Sequence, residues 1–197
     1  MLVGPSIQPH SRLESANFSL NQISQQPTLY ISLGTLFSGW SDFFQMCFTP
    51  FEEKPFCVVM AIGNKVDPNS LGAAPDNFIV APYVAQPTIL QYTTNFLTHG
   101  GMNSVSVMES LYYGVPMVVI PQMPEQEITA EWVVQLNLGL ALEKAEVTAS
   151  LLESAVTRVM NELKIGDCVR QMQQVVQATV GYQQAGDEIL GYLAKTA

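Results

Sequence analysis

The stretch FLTHGGMNSVSVMESLYYGVPMVVIPQ, Phe96 to Gln122, decides how the rest of the chain is read. An apolar run stops at His99, two glycines and an Asn-Ser pair, and a second apolar run, Val115 to Pro121, ends at Gln122. Both runs are short and nearly continuous, the pattern of strands buried on both faces of a parallel sheet. Asn103 to Tyr113, between them, has helical character. The open question is what would sit against the glycine turn.

The same alternation extends in both directions. TLYISL from Thr28, FCVVMAI at Phe56–Ile62, NFIVAPY at Asn77–Tyr83 and NFLTH at Asn95–His99 are further apolar runs bounded by Gly, Pro, Asn or Asp, and LGLALE at Leu138–Glu143 is a sixth candidate. Helical segments are expected over Trp40–Phe51 and Glu125–Leu136. After Thr148 the chain reads as purely helical: Leu151, Leu152, Ala155, Val156, Val159, Met160 and Leu163 recur at the spacing of one buried helix face. Val169, Met172, Val175 and Val176 continue the pattern, and Ile189, Leu190 and Leu193 suggest a last helix. Strand and helix alternate, so the fold class is α/β, a parallel sheet of about six strands flanked by helices. Residues 1–27, rich in Pro, Ser, Gln and Asn, read as an irregular lead-in or linker, and residues 28–197 as one domain.

Bulk properties narrow the function. With 197 residues, 48% of them hydrophobic, the chain can bury one sizeable core. Eight Lys+Arg against 17 Asp+Glu give a net charge of -9, which argues against general attraction to nucleic acid or anionic lipid. An anionic ligand would have to be held by local geometry: backbone amides, helix N-termini and hydroxyls. Cys47, Cys57 and Cys168 are odd in number, widely spaced and set among apolar residues, so they read as reduced core thiols rather than a disulfide frame or metal site. No apolar run approaches the roughly 18 residues of a membrane span. The expectation is a soluble, cytoplasmic protein.

Ligands of open parallel sheets sit at the carboxyl ends of the strands, and the polar residues of interest follow the apolar runs. Ser32-Leu33-Gly34-Thr35 follows the first, Tyr83-Val84-Ala85-Gln86 the third, His99 to Ser104 the fourth, and Gln122 to Gln126 the fifth. His99 with Gly100 and Gly101 suits a phosphate, because glycines allow close backbone approach and a helix N-terminus supplies free amides. An isolated histidine more often satisfies a strand-end carbonyl; beside the glycines and three other such loops, the ligand reading takes precedence. Thr35 is either a phosphate contact or a helix N-cap. Tyr83 offers a flat ring for a base and Gln86 a ribose contact, the alternative for Tyr83 being a core position at a strand end. Glu125 and Gln126 combine carboxylate and amide, suited to the vicinal hydroxyls of a sugar, or else a negative first turn favouring the helix dipole. No Walker lysine, GxGxxG or metal-ligand cluster appears, which disfavours a kinase, ATPase or dehydrogenase.

The string THGGMNS followed by ESLYYGVPMVVIPQMPEQ resembles the donor-binding half of family-one UDP-glycosyltransferases of the bacterial macrolide and flavonoid type, and the match runs from about Val3 onward. The resemblance implies the C-terminal, Rossmann-like domain of a two-domain GT-B hexosyltransferase. It implies further that Tyr83 stacks on uracil, that Val84 pairs with the base edge through its backbone, and that Gln86 contacts the ribose. His99, Gly101, Asn103, Ser104 and Thr35 would bind the diphosphate, and Glu125 and Gln126 the donor sugar, UDP-glucose or a related compound. No metal or other cofactor is implied. Two positions depart from the family pattern. Ala85 stands where a proline is usual, and Glu109, the counterpart of a ribose-binding glutamate, lies two residues farther from His99 than is usual. Two extra helical residues turn a side chain by about 200°, so Glu109 reaches a ribose only if the extra length is absorbed before the helix begins.

In that family the acceptor pocket and the catalytic base belong to an N-terminal domain, which this sequence does not resemble; His10, near the start, has no carboxylate partner in motif context. The expectation is a donor-binding domain of an inverting transferase acting on small-molecule hydroxyls, with little transfer on its own and an acceptor domain as partner in cis or in trans. Two alternatives stay open: the soluble subunit of a split two-chain glycosyltransferase, and a non-catalytic nucleotide-sugar-binding protein.

Overall fold

A computed structural model describes residues 4–7, 23–35, 39–101, 106–179 and 181–196. Among these residues six strands form one sheet: β1 (Thr28–Ser32), β2 (Cys57–Ala61), β3 (Phe78–Ala81), β4 (Asn95–Thr98), β5 (Met117–Val119) and β6 (Gly139–Ala141). Their order is β3-β2-β1-β4-β5-β6, and every neighbouring pair is parallel. The four central strands β2, β1, β4 and β5 are buried along their whole length. That is why their sequences are continuous apolar runs rather than alternating ones.

The order reverses between β1 and β4, where Ser32 pairs with Thr98. Chain leaves these two strand ends in opposite directions along the sheet, opening a crevice between the loops. At each end a hydroxyl reaches forward to an amide two residues on: Ser32 Oγ accepts from Gly34 N at 3.3 Å, and Thr98 Oγ1 from Gly100 N at 3.4 Å. The strand ends are thus closed off by matching local turns.

The segment expected as one helix over 40–51 is two, α1 (Ser41–Met46) and α2 (Phe48–Phe51). Pro50 has no N–H to offer the carbonyl of Met46, so the ladder breaks there. Phe43, Phe44 and Phe51 still face the core. Helix α3 spans Gln86–Leu90 and α4 Ser106–Tyr113; residues 103–105 of the expected fourth-to-fifth connection lie outside the described part. Helix α5 (Pro124–Gln135) starts on a proline, whose missing N–H costs nothing in a first turn, and stops before Asn137, which adopts a positive φ of 53°.

Helix α6 (Ala149–Asn161) is capped by Thr148, whose Oγ1 accepts from Leu151 N at 3.2 Å. It buries Leu152, Ala155, Val156 and Val159 against the sheet. The predicted stripe does not run on to Leu163, which is 82% exposed. Glu162 is extended (ψ 103°), so the chain turns there and α7 (Leu163–Ala178) starts a new face. On α7, Ile165, Val169 and Val176 are buried while Val175, about 100° round the helix from Val176, points outward. Helix α7 packs on α4, and Gln173 and Gln177 both donate to the carbonyl of Tyr112, at 3.2 and 2.8 Å. Helix α8 (Gly181–Thr196) follows, with Ile189, Leu190 and Leu193 exposed.

The lead-in packs on the domain where it is described. Ile7 and Ile23 touch the core, and Gly4 lies so close to Thr179 that a Cβ would stand 2.9 Å from that residue's own Cβ. Cys47, Cys57 and Cys168 are free thiols, and burial pushes the first two upward in pKa. No helix of the described residues is long and apolar enough to cross a membrane.

Candidate functional site

A cavity of about 340 Å³ opens at the carboxyl edge of the sheet, over the point where the strand order reverses. Its floor and one wall come from β1 and β4. Gly34 and Gly100 both adopt positive φ, 73° and 76°, a conformation that side chains disfavour. Each also has a steric reason to be glycine. A Cβ at Gly34 would stand 2.7 Å from Cε1 of His99, and one at Gly100 2.5 Å from Cγ1 of Val119. The loops after β1 and β4 therefore close on one another, with the His99 imidazole between them. His99 is buried, and its Nδ1 has no hydrogen-bond partner. Burial lowers its pKa below the ordinary 6.5, and the nearby Ser32 carbonyl partly opposes that shift. A neutral ring at the mouth of a glycine turn can donate one N–H to an anion that enters.

The wall from β3 carries Tyr83, 54% exposed although it follows a strand directly. It is a free-standing aromatic face, not a core residue, and Val84 beside it is buried and also lines the cavity. Gln86, the first residue of α3, is bound on all sides. Its Nε2 donates to Ser106 Oγ at 3.2 Å and to Glu109 Oε2 at 2.8 Å, and its Oε1 accepts from the Tyr30 hydroxyl at 3.4 Å. Tyr30 is itself stacked on Phe96, ring centres 4.7 Å apart, and burial raises the pKa of its phenol.

The β5 side supplies Glu125 and Gln126. Glu125 is exposed on the rim, whereas Gln126 is buried, its Oε1 accepting from Gln122 N at 2.7 Å. That bond closes the Pro121–Pro124 turn and leaves the amide nitrogen of Gln126 as the end able to act on a ligand. The pair thus offers acceptors from Glu125 and donors from Gln126.

Of the candidate residues, Thr35, Tyr83, Val84, Gln86, His99, Gly101, Glu125 and Gln126 line this one cavity. Glu109 does not border it: it is buried behind Gln86. Asn103 and Ser104 lie outside the described residues. Sequence reasoning passed over Tyr30 and Ser106, and the end of β2 with the loop that follows it, which contribute Ala61 and Gly63. Gly63 at positive φ, directly after the run FCVVMAI, is the signal that would have found that loop. Among the described residues no group of three or more His, Cys, Asp or Glu is placed to hold a metal ion.

A parallel sheet in this order, with a polar cleft at its switch point, defines a Rossmann-like α/β domain. The chain belongs to the family of erythromycin biosynthesis protein CIII-like C-terminal domains, which matches residues 56–183. It is 40% identical, over 99% of its length, to the NDP-glycosyltransferase YjiC of Bacillus subtilis (strain 168), covering 48% of that protein. To the demethyllactenocin mycarosyltransferase of Streptomyces fradiae it is 31% identical over 87% of its length, covering 37% of that protein. In three dimensions it superposes on the calicheamicin glycosyltransferase CalG4 with a TM-score of 0.84 and 32% identity, over 99% of this chain and 48% of that one. The chain spans about half the length, or less, of these relatives. Its fold is that of the C-terminal half of GT-B glycosyltransferases.

Proposed function

We propose that the chain is the donor-binding half of an inverting glycosyltransferase, holding a UDP-sugar for transfer to a hydroxyl of a small-molecule acceptor. The observation that carries this reading is the convergence of an exposed aromatic (Tyr83), a buried histidine beside a glycine turn (His99) and an acid-amide pair (Glu125, Gln126) on one cavity. Taken in order across the sheet edge, these suit a base, a diphosphate and a sugar. The relatives' names, an NDP-glycosyltransferase and a mycarosyltransferase, are in keeping with a nucleotide-sugar donor.

In this reading the acceptor half, in cis or in trans, brings a general base that takes the proton of the acceptor hydroxyl. The oxygen attacks the anomeric carbon as the bond to the diphosphate breaks, which inverts the configuration. His99 and the amides of the glycine turn receive the charge that develops on the departing UDP, and Asn103, Ser104 and Thr35 join them. Charge neutralisation is assigned to these groups rather than to a metal. Buried free thiols at Cys47 and Cys57 fit a reducing compartment, and we place the protein in the cytoplasm.

Titration calorimetry with UDP and UDP-glucose tests the reading. Saturable binding at one site per chain is expected, with transfer appearing on adding an acceptor half made separately. No saturable heat with UDP, dTDP or their glucose esters would overturn it.

A further inference from the structure

Among the described residues the sheet ends at β6, which has a neighbour on one side only. On that side Leu142 N donates to the carbonyl of Val119 at 2.9 Å, and the carbonyl of Leu138 accepts from Met117 N at 3.2 Å. Backbone groups along a strand alternate in direction from one residue to the next. The N–H and C=O of Ala141 therefore point the other way, off the edge of the sheet, and Ala141 is exposed. Such an edge is a template for an incoming strand.

Beside it runs a groove of about 350 Å³ between α5 and the end of β6, sharing no residue with the cavity at the switch point. Its lining is apolar at Ala130, Val134 and Leu142 and acidic at Glu127, Glu131 and Glu143, all three of them exposed. None of the three is in an ion pair with a described residue. Glu127 and Glu131 are one turn apart on α5, about 6 Å along its axis, and Val134 lies about 4.5 Å further on. Successive residues on one face of a strand are about 6.6 Å apart. A strand laid along β6 would thus set two same-face cations against Glu127 and Glu131, and an apolar side chain against Val134.

We propose that the β6 edge is a docking site for an extended segment of a partner protein, carrying basic and apolar side chains on one face, which adds to the sheet as a further strand. Charge selects this occupant over a second copy of the chain. Two β6 edges brought together would oppose the same carboxylates on chains of net charge -9. The proposal is independent of the donor-binding reading.

Fluorescence anisotropy on the 197-residue chain tests it with the labelled peptide Val-Thr-Lys-Thr-Lys-Thr-Val, whose pattern is the same in both directions and so suits a parallel or an antiparallel partner. Saturable binding is expected, about tenfold or more tighter than that of the same peptide with glutamate for lysine. E127Q combined with E131Q should weaken it about fivefold without moving the thermal midpoint. A141P removes the outward N–H at an edge position that tolerates proline, and should weaken it by about fivefold or more. Only every second N–H of the peptide faces β6, so of two peptides N-methylated at alternate residues one should lose binding and the other keep it. That readout holds even where A141P does not fold.

No saturable binding, equal binding of the lysine and glutamate peptides, or equal binding of both methylated forms overturns the proposal. So does light scattering that shows the parent as a dimer and A141P as a monomer, which would make a second copy the occupant.

Discussion

The imidazole of His99 lies across the α-carbon of Gly34, so close that a Cβ there would stand 2.7 Å from Cε1 and 2.9 Å from Nε2. The two residues follow adjacent strands at the point where the sheet order reverses. Their contact fixes the ring over the cavity without a hydrogen bond at Nδ1. Gly34→Ala would meet both the ring and a φ of 73°. A non-glycine residue in that region costs about 1–2 kcal/mol, and the displaced imidazole would no longer face the proposed diphosphate. Thermal unfolding should show a lower midpoint, and calorimetry UDP binding weaker by about tenfold. Unchanged values in both would mean that the contact is dispensable.

His99 also makes a prediction about acid. Its pKa in the folded chain lies below the ordinary 6.5, burial being the larger cause. Between the folded value and 6.5 the unfolded chain carries more protons, so stability rises with pH through that window and falls as pH drops below about 6.5. His99→Gln removes this term. In urea titrations at pH 7.5 and 5.5 the parent should lose more stability than the variant; equal losses would show that His99 does not titrate differently on folding.

The central sheet was legible because strands buried on both faces must be continuous apolar runs, and β1, β2, β4 and β5 are buried throughout. The cavity was legible for a related reason: its polar residues follow those runs directly. What sequence concealed depends on direction rather than identity. Periodicity does not say that the chain turns at Glu162 and exposes Leu163, nor that Pro50 splits a helix. Tyr83 and Tyr30 are both strand-associated tyrosines; only packing shows one exposed and the other stacked on Phe96. Glu109 was flagged by its spacing, and the structure gives it a partner in Gln86 that spacing does not name.

Tyr83 separates binding from stability. Since its ring is 54% exposed, Tyr83→Ala removes little packing, and unfolding should move by about 0.5 kcal/mol or less. Loss of a base-stacking ring costs about 1–3 kcal/mol, so UDP affinity should drop by about 5- to 150-fold while Tyr83→Phe stays near the parent. A Tyr83→Ala chain that binds UDP normally would remove Tyr83 from the site.

Glu125 and Gln126 are adjacent, but their variants should behave differently. Glu125 is exposed on the rim, so Glu125→Ala should leave folding and UDP affinity alone and weaken only UDP-glucose, by about 3- to 15-fold for hydrogen bonds to the sugar. Gln126 holds the turn by accepting from Gln122 N at 2.7 Å. Gln126→Ala loses that bond as well as the donor proposed for the sugar, so it should lower stability by about 1 kcal/mol in addition to reducing UDP-glucose affinity. Gln126→Glu keeps an acceptor for Gln122 and removes the NH2 donors, so it should restore the fold without restoring sugar binding. Calorimetry with UDP and UDP-glucose, paired with urea unfolding of all three variants, gives both readouts. If UDP and UDP-glucose lose affinity equally in Glu125→Ala, the residue serves the nucleotide rather than the sugar.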